Sequence, residues 1–108
     1  MKKLFISQPM RGKTNEEIML VREKAIKSAE RELGEPVEVI DSFFKDAPHD
    51  AQPLWYLGES LKLLSTADVA YFAKGWENAR GCRIENRCAI DYEIELVIED
   101  YTDEEHHD

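Results

Sequence analysis

The chain has 108 residues, of which 43% are hydrophobic, and its formal net charge is −9. Length and composition predict one globular domain with a core of its own. The acidic balance argues against a general nucleic-acid binder, because such proteins need a basic face to release counterions. No apolar run reaches the roughly 20 residues of a membrane span, and the amino-terminal apolar stretch is too short for a signal peptide. We therefore expect a cytoplasmic protein that has no contact with membranes.

The acidic carboxyl-terminal segment, its histidines and the two cysteines say less about function than the fold does. Much of the negative charge lies between Glu93 and Asp108, which predicts a domain over residues 1–99 and a solvated acidic tail over residues 100–108. A surface that mimics DNA is the alternative interpretation of the tail. The histidines at 106 and 107 are weak evidence for a metal, so we expect no metal site. Cys82 and Cys88 lie on different faces of one predicted helix, which predicts two reduced thiols, with Cys88 the more buried.

Four short apolar segments alternate with three helical segments. Thr14 and Glu17 form a capping box at the start of the first helix, and Gly34 ends that helix. Leucines at helical spacing mark the second helix. The predicted strands are 4–6, 37–40, 68–72 and 94–98, and the predicted helices are 14–33, 54–64 and about 79–91.

Strands that alternate with helical crossovers predict an α/β domain of three layers around a parallel sheet. Right-handed crossovers favour the strand order 2-1-3-4, a small flavodoxin-like (Rossmann-like) fold. In this fold the loops 7–13, 41–53 and 73–80 meet at the carboxyl edge of the sheet, where such domains bind ligands. The topology therefore predicts the place of the site before any motif is considered.

The first of these loops is a candidate ligand-binding segment. It has a hydroxyl, a glycine turn and a planar cation suited to phosphate or carboxylate. The patterns of a phosphate-binding P-loop and of a dinucleotide fingerprint are both missing from the sequence. The alternative interpretation is that this loop only connects the first strand to the first helix and exposes its arginine to solvent. The predicted ligand-binding residues of the loop are Ser7, Gln8, Pro9, Met10, Arg11 and Gly12.

Glu85 is the candidate catalytic residue. It lies within about two turns of a helix start, where the helix field and Arg80 or Arg83 should favour its charged form. An ionised carboxylate in a partly dry cleft can act as a nucleophile or as a general base. A glutamate that only stabilises its helix is the alternative.

Several further residues are candidates for contact with a ligand. Trp76 follows Gly75 at a strand end, where its ring can stack on a base or pack into the core. Glu59 and Ser60 lie on the second helix and can project toward the same edge, although solvation of the helix surface suits Glu59 equally well. Asp41 opens the second loop. Asp68 begins its strand, at the end opposite the site, and we interpret it as structural.

Three segments together resemble the nucleoside 2-deoxyribosyltransferase-like superfamily, and within it a short bacterial and phage branch. The resemblance covers about residues 3–98. The segments that carry it are Phe5-Ile6-Ser7-Gln8-Pro9-Met10-Arg11-Gly12, Ala67-Asp68-Val69-Ala70-Tyr71-Phe72, and Gly75 through Glu85 with Arg80-Gly81-Cys82 between them.

The resemblance implies cleavage or transfer of the N-glycosidic bond of a 2′-deoxynucleoside or its 5′-monophosphate. By motif position Glu85 is the nucleophile, and Arg80 with Gly81 would hold a phosphate. The chemistry implies no cofactor. A small-molecule nucleoside or nucleotide is the expected partner, and the resemblance also allows a homodimer or a higher homo-oligomer.

The chain departs from the active enzymes on the second helix. Those enzymes carry an aspartate at the position that Ser60 occupies here, and Glu59 points about 100° away around the helix. This departure favours the alternative of a non-catalytic module that binds or senses a nucleotide with the same fold. A phage-type protein that acts through its acidic tail is the third hypothesis.

Overall fold

A computed structural model describes residues 1–42, 44 and 47–99 of the chain. Strands and helices alternate along it, and a short 3-10 turn at Trp76–Asn78 precedes the last helix. The strands are β1 (Lys2–Ser7), β2 (Val37–Val39), β3 (Val69–Phe72) and β4 (Glu95–Ile98), and the helices are α1 (Asn15–Leu33), α2 (Pro53–Leu64) and α3 (Arg80–Asp91). The predicted acidic tail, residues 100–108, lies outside the described residues.

All four strands are parallel and stand in the order β2-β1-β3-β4, which confirms the predicted fold class. β1 and β3 are the central strands, and Ser7 at the end of β1 is in register with Phe72 at the end of β3. Because these strands end side by side, the loops that follow them begin at neighbouring points on the carboxyl edge.

The two faces of the sheet bury two separate apolar clusters. Successive strand residues point to opposite faces, so neighbours in β1 join different clusters. Leu4 and Ile6 pack with Ala25 and Ala29 of α1, whereas Phe5 packs on the other face with Leu64 of α2 and Ala89 of α3. The same alternation places Ser7 on the α2–α3 face.

Asp68 has the structural role predicted for it. Its Oδ2 accepts a hydrogen bond of 2.7 Å from the backbone N–H of Lys3, at the amino end of the sheet. Along the described part of the chain, no helix is long and apolar enough to span a membrane.

The prediction for the cysteines is partly wrong. Neither forms a disulfide within the described residues, but Cys82 is buried and Cys88 is only partly so. The buried residues of α3 are Cys82, Glu85, Asn86 and Ala89, at the spacing of one helix face. The helix is rotated so that Cys82 faces the sheet together with Glu85, and that rotation is set by tertiary packing.

The capping box of α1 yields a prediction about stability. The Thr14 Oγ1 accepts from the N–H of Glu17 and the Glu17 carboxylate accepts from the N–H of Thr14, both at 3.1 Å. Thr14→Ala should lower the free energy of unfolding by about 1 kcal/mol, because a helix N–H loses its partner. Urea denaturation measures the change, and Thr14→Ser, which keeps the hydroxyl, is the control. Equal stability of the alanine variant and the wild type would contradict this account.

Candidate functional site

The site begins at a contact between the central strand and the last helix. The Ser7 hydroxyl donates a hydrogen bond of 2.7 Å to Oε1 of Glu85, and both residues are buried. Ser7 reaches Glu85 because it lies on the α2–α3 face of the sheet and Glu85 lies on the buried face of α3. Ser7, which the sequence placed in the first loop, and Glu85, which it placed on the third helix, are therefore direct partners.

Above this contact lies a cavity of about 340 Å³, here called the Glu85 cavity. Among the described residues that line it, Glu85 provides the one carboxyl group. The other lining side chains are apolar, aromatic or hydroxyl-bearing, with the amide of Gln8 beside them, which suits a small organic ligand with few polar groups. The lining includes Ser7, Met10, Ser42, Phe44, Tyr56 and Ser60.

Burial raises the pKa of the Glu85 carboxyl, since removal from water penalises its charged form. Hydrogen bonds from Ser7 and Ser60 act in the opposite direction and lower the pKa, but burial is the larger effect. The prediction that the helix start and the arginines favour the charged form is therefore wrong. Arg80 is exposed, and Arg83 donates instead to the backbone carbonyl of Glu77 at 3.0 Å.

The thiol of Cys82 lies beside the same group without being activated. Burial, with a contribution from Glu85, raises the pKa of Cys82 to about 11, although a hydrogen bond with Ser7 lowers it in part. A thiol with this pKa is almost fully protonated at neutral pH, so Cys82 is a packing residue here and a poor nucleophile.

A buried arginine links one wall of the Glu85 cavity to α1. Arg22 is 7% exposed and donates to the Ser42 hydroxyl at 3.3 Å and to the Ile40 carbonyl at 3.4 Å. Burial lowers the pKa of Arg22, and the charge of Asp41 opposes that shift. Ser42 is itself a lining residue, so the arginine connects α1 to the segment that carries this wall.

The rest of that wall is aromatic. Phe44 and Tyr56 have ring centroids 6.3 Å apart, and Trp55 lies against both, at 6.1 Å from Phe44 and 5.1 Å from Tyr56. Ring distances of this kind are favourable for aromatic packing. The sequence prediction missed Ser42, Phe44 and Tyr56 as lining residues, although the loop that carries Ser42 and Phe44 was expected at this edge. Two phenylalanines in a polar loop were the available signal.

A second cavity, here called the arginine cavity, lies beside the first and has a volume of about 560 Å³. Met10 belongs to both linings, so the two cavities adjoin. The arginine cavity is also at the amino end of α3, where backbone N–H groups favour anions. Its cationic residues are Arg11, Arg80 and Arg83.

The structure brings most of the predicted ligand-binding residues to these two cavities. Gln8 and Ser60 line the Glu85 cavity, and Pro9 and Gly81 line the arginine cavity. Gly12 lies in the turn of the same loop with a φ of 78°, a left-handed conformation that favours glycine.

Three predicted residues lie elsewhere. Trp76 packs on Phe72, with ring centroids 5.7 Å apart, and is not among the described residues that line the Glu85 cavity or the arginine cavity. Glu59 forms an ion pair of 2.8 Å with Lys62 on the surface of α2, which agrees with the alternative that Glu59 solvates the helix surface. Asp41 is exposed, and its negative charge raises the pKa of Arg22.

Within the described ranges, no group of three or more His, Cys, Asp or Glu residues is arranged to hold a metal ion. Comparison of the chain with models of protein families, with curated proteins and with solved structures finds no match. The family resemblance therefore stays a prediction.

The buried carboxyl yields a prediction about pH. The pKa of Glu85 is higher in the folded than in the unfolded chain, so the folded protein binds more protons in the range between the two values. The stability from this group is thus fully present below the unfolded pKa and is lost as pH rises through the folded pKa. Glu85→Gln should become more stable relative to wild type as pH rises from about 4 to about 8, by about 1.4 kcal/mol per unit of pKa difference.

Chemical denaturation of both proteins across this pH range measures the difference. Glu95→Gln is the matched control, because Glu95 is exposed on β4. A stability difference between Glu85→Gln and wild type that does not change with pH would refute the effect of burial.

Proposed function

We propose that the protein cleaves or transfers the N-glycosidic bond of a 2′-deoxynucleoside or of its 5′-monophosphate, with Glu85 as the nucleophile. The observation that carries the proposal is the position of Glu85, a buried carboxyl at the wall of a cavity of about 340 Å³ with the Ser7 hydroxyl on its Oε1. The family resemblance supplies the reaction class.

The reaction is a double displacement. A carboxylate oxygen of Glu85 attacks the anomeric carbon as the bond to the base nitrogen breaks, and the departing base takes a proton from solvent. A water molecule or a second base then attacks the same carbon, loses its proton and releases the carboxylate. Two inversions retain the configuration of the sugar.

The surroundings of Glu85 suit each part of this reaction. The Ser7 hydroxyl holds the carboxyl in one orientation, which lowers the cost of reaching the attack geometry. The rings of Phe44 and Tyr56 offer flat apolar surface to a base. Arg11, Arg80 and the amino end of α3 lie one cavity away, where a 5′-phosphate would find cations and N–H groups.

The raised pKa of Glu85 does not conflict with a nucleophilic role, but it limits the pH range. The attacking form is the carboxylate, so the rate should fall as pH drops through the pKa of Glu85 in the folded protein.

The assay is chromatographic detection of free base after incubation with 2′-deoxynucleosides and their 5′-monophosphates. Glu85→Gln should lower base release by at least about 1,000-fold, because an amide is a poor nucleophile. Glu95→Gln, the same charge change at the other end of the sheet, should retain wild-type turnover. Full activity of the Glu85 variant would show that the proposed mechanism is wrong.

A second candidate function, binding of a nucleotide without turnover, is favoured by one observation. Ser60 makes the hydrogen bond to Glu85 at the position where the resembling enzymes carry an aspartate, so the described lining has a single carboxyl. A serine hydroxyl cannot supply the proton or the charge of a second carboxyl.

Ser60→Asp tests this alternative. If the wild type binds nucleotides and returns them unchanged, the variant should acquire base release, and a binding module is the native function. The two carboxyls should share a proton, because like charges at close range raise one pKa of the pair. If the wild type itself releases base, the binding-module hypothesis fails, whatever the rate of Ser60→Asp.

A further inference from the structure

A third cavity lies on the opposite face of the sheet from Glu85, between α1 and the segment that follows β3. It has a volume of about 450 Å³ and is here called the Gln8–Glu99 cavity. Its apolar walls include Pro9, Ile18 and Val21. The proposed reaction at Glu85 makes no use of this cavity.

Two buried side chains in its lining each have an acceptor oxygen without a hydrogen-bond partner among the described residues, Oε1 of Gln8 and Oε2 of Glu99. Gln8 is 6% exposed and Glu99 is 8% exposed. A buried acceptor without a donor is unfavourable, so groups of this kind in native proteins call for a specific explanation.

Neighbouring contacts determine which atoms stay unpaired. The Gln8 Nε2 donates to the Ile18 carbonyl at 3.2 Å, which orients the amide and leaves its oxygen as the unused group. The Glu99 Oε1 accepts from the Tyr71 hydroxyl at 3.1 Å and lies 3.5 Å from Lys24 Nζ. Each side chain is thus held by contacts of one polar atom, and its second polar atom, an oxygen, can accept a hydrogen bond from an N–H group.

The three cavities adjoin one another at the carboxyl edge of the sheet, and Gln8 belongs to the linings of both the Glu85 cavity and the Gln8–Glu99 cavity. The arginine cavity shares Met10 with the Glu85 cavity, and it shares Pro9, Gly75 and Asn78 with the Gln8–Glu99 cavity. A cavity lined by three arginines therefore adjoins both of the cavities that have apolar walls and polar groups.

We propose that the Gln8–Glu99 cavity binds the second ring of a dinucleotide whose nucleoside half lies in the Glu85 cavity and whose phosphate bridge lies on Arg11, Arg80 and Arg83. The inference rests on the proposed function, because it takes the nucleoside half to lie beside Glu85. It narrows the substrate class from a mononucleotide to a phosphate-bridged dinucleotide.

The chemistry of the second ring follows from the two acceptors. An amino-bearing base such as adenine presents N–H donors to an amide oxygen and a carboxylate oxygen, and its flat face can pack on Pro9, Ile18 and Val21. The bridge is either a diphosphate or a phosphodiester, and guanidinium groups bind both.

The experiment compares affinities by isothermal titration calorimetry. The probes are diadenosine diphosphate with adenosine monophosphate as its reference, and the phosphodiester dinucleotide of 2′-deoxyadenosine with 2′-deoxyadenosine monophosphate as its reference. At least one dinucleotide should bind about tenfold or more tightly than its reference. The arm that shows this ratio identifies the bridge, and a ratio near one in both arms would overturn the proposal.

Two variants on separate elements test the acceptors. Glu99→Gln keeps an oxygen for Tyr71 and Gln8→Met keeps the length of the side chain, and each should lower the affinity ratio toward one. Glu95→Gln is the control, because it makes the same charge change on β4, close to Glu99 in the sequence. It should leave the affinity ratio unchanged. The melting temperatures of both variants show whether they are folded. If both folded variants keep the affinity ratio of the wild type, the proposal is also overturned.

Turnover separates this inference from the proposed function. Base release from a monophosphate with an affinity ratio near one supports the glycosidic chemistry and refutes the second subsite. A large ratio that Glu99→Gln abolishes, without base release from any probe, supports the subsite and refutes the chemistry.

Discussion

The hydrogen bond between Ser7 and Glu85 is the contact on which the arrangement of the site depends. A carboxyl that is 8% exposed needs a donor, because burial without one is costly. Ser7 supplies that donor from the end of the central strand, at 2.7 Å. The contact holds Glu85, one of two buried polar residues of α3, at the wall of the Glu85 cavity. The amino end of the same helix lies at the arginine cavity.

The second constraint is the alternation of side chains in a parallel sheet that is covered on both faces. Ser7 lies on the α2–α3 face and lines the Glu85 cavity, whereas Gln8, the next residue, lines both that cavity and the Gln8–Glu99 cavity. The chain then continues through Pro9, Met10 and Arg11, which line the arginine cavity. One short loop thereby contributes to all three cavities, and this is the physical basis for treating them as one binding surface.

Much of the fold follows from local sequence patterns. The features that could not be predicted are those that depend on contacts between residues far apart in the sequence. The capping box and the strand order could be predicted because neighbouring residues and right-handed crossovers decide them. The burial of Arg22 could not, because its partners Ser42 and Ile40 lie about 20 residues further along the chain. The aromatic wall likewise depends on contacts of Phe44 with Trp55 and Tyr56, which lie more than ten residues further along the chain on α2.

The sequence by itself determined the α/β class, the edge of the sheet where ligands should bind, and the candidate carboxylate at Glu85. Periodicity and topology contain that information. Only the tertiary structure decided the direction in which the pKa of Glu85 is shifted and the inward position of Cys82, because burial and rotation of α3 depend on packing. It also decided that Gln8 and Glu99, at opposite ends of the sequence, line one cavity, since β1 and β4 end at the same edge of the sheet.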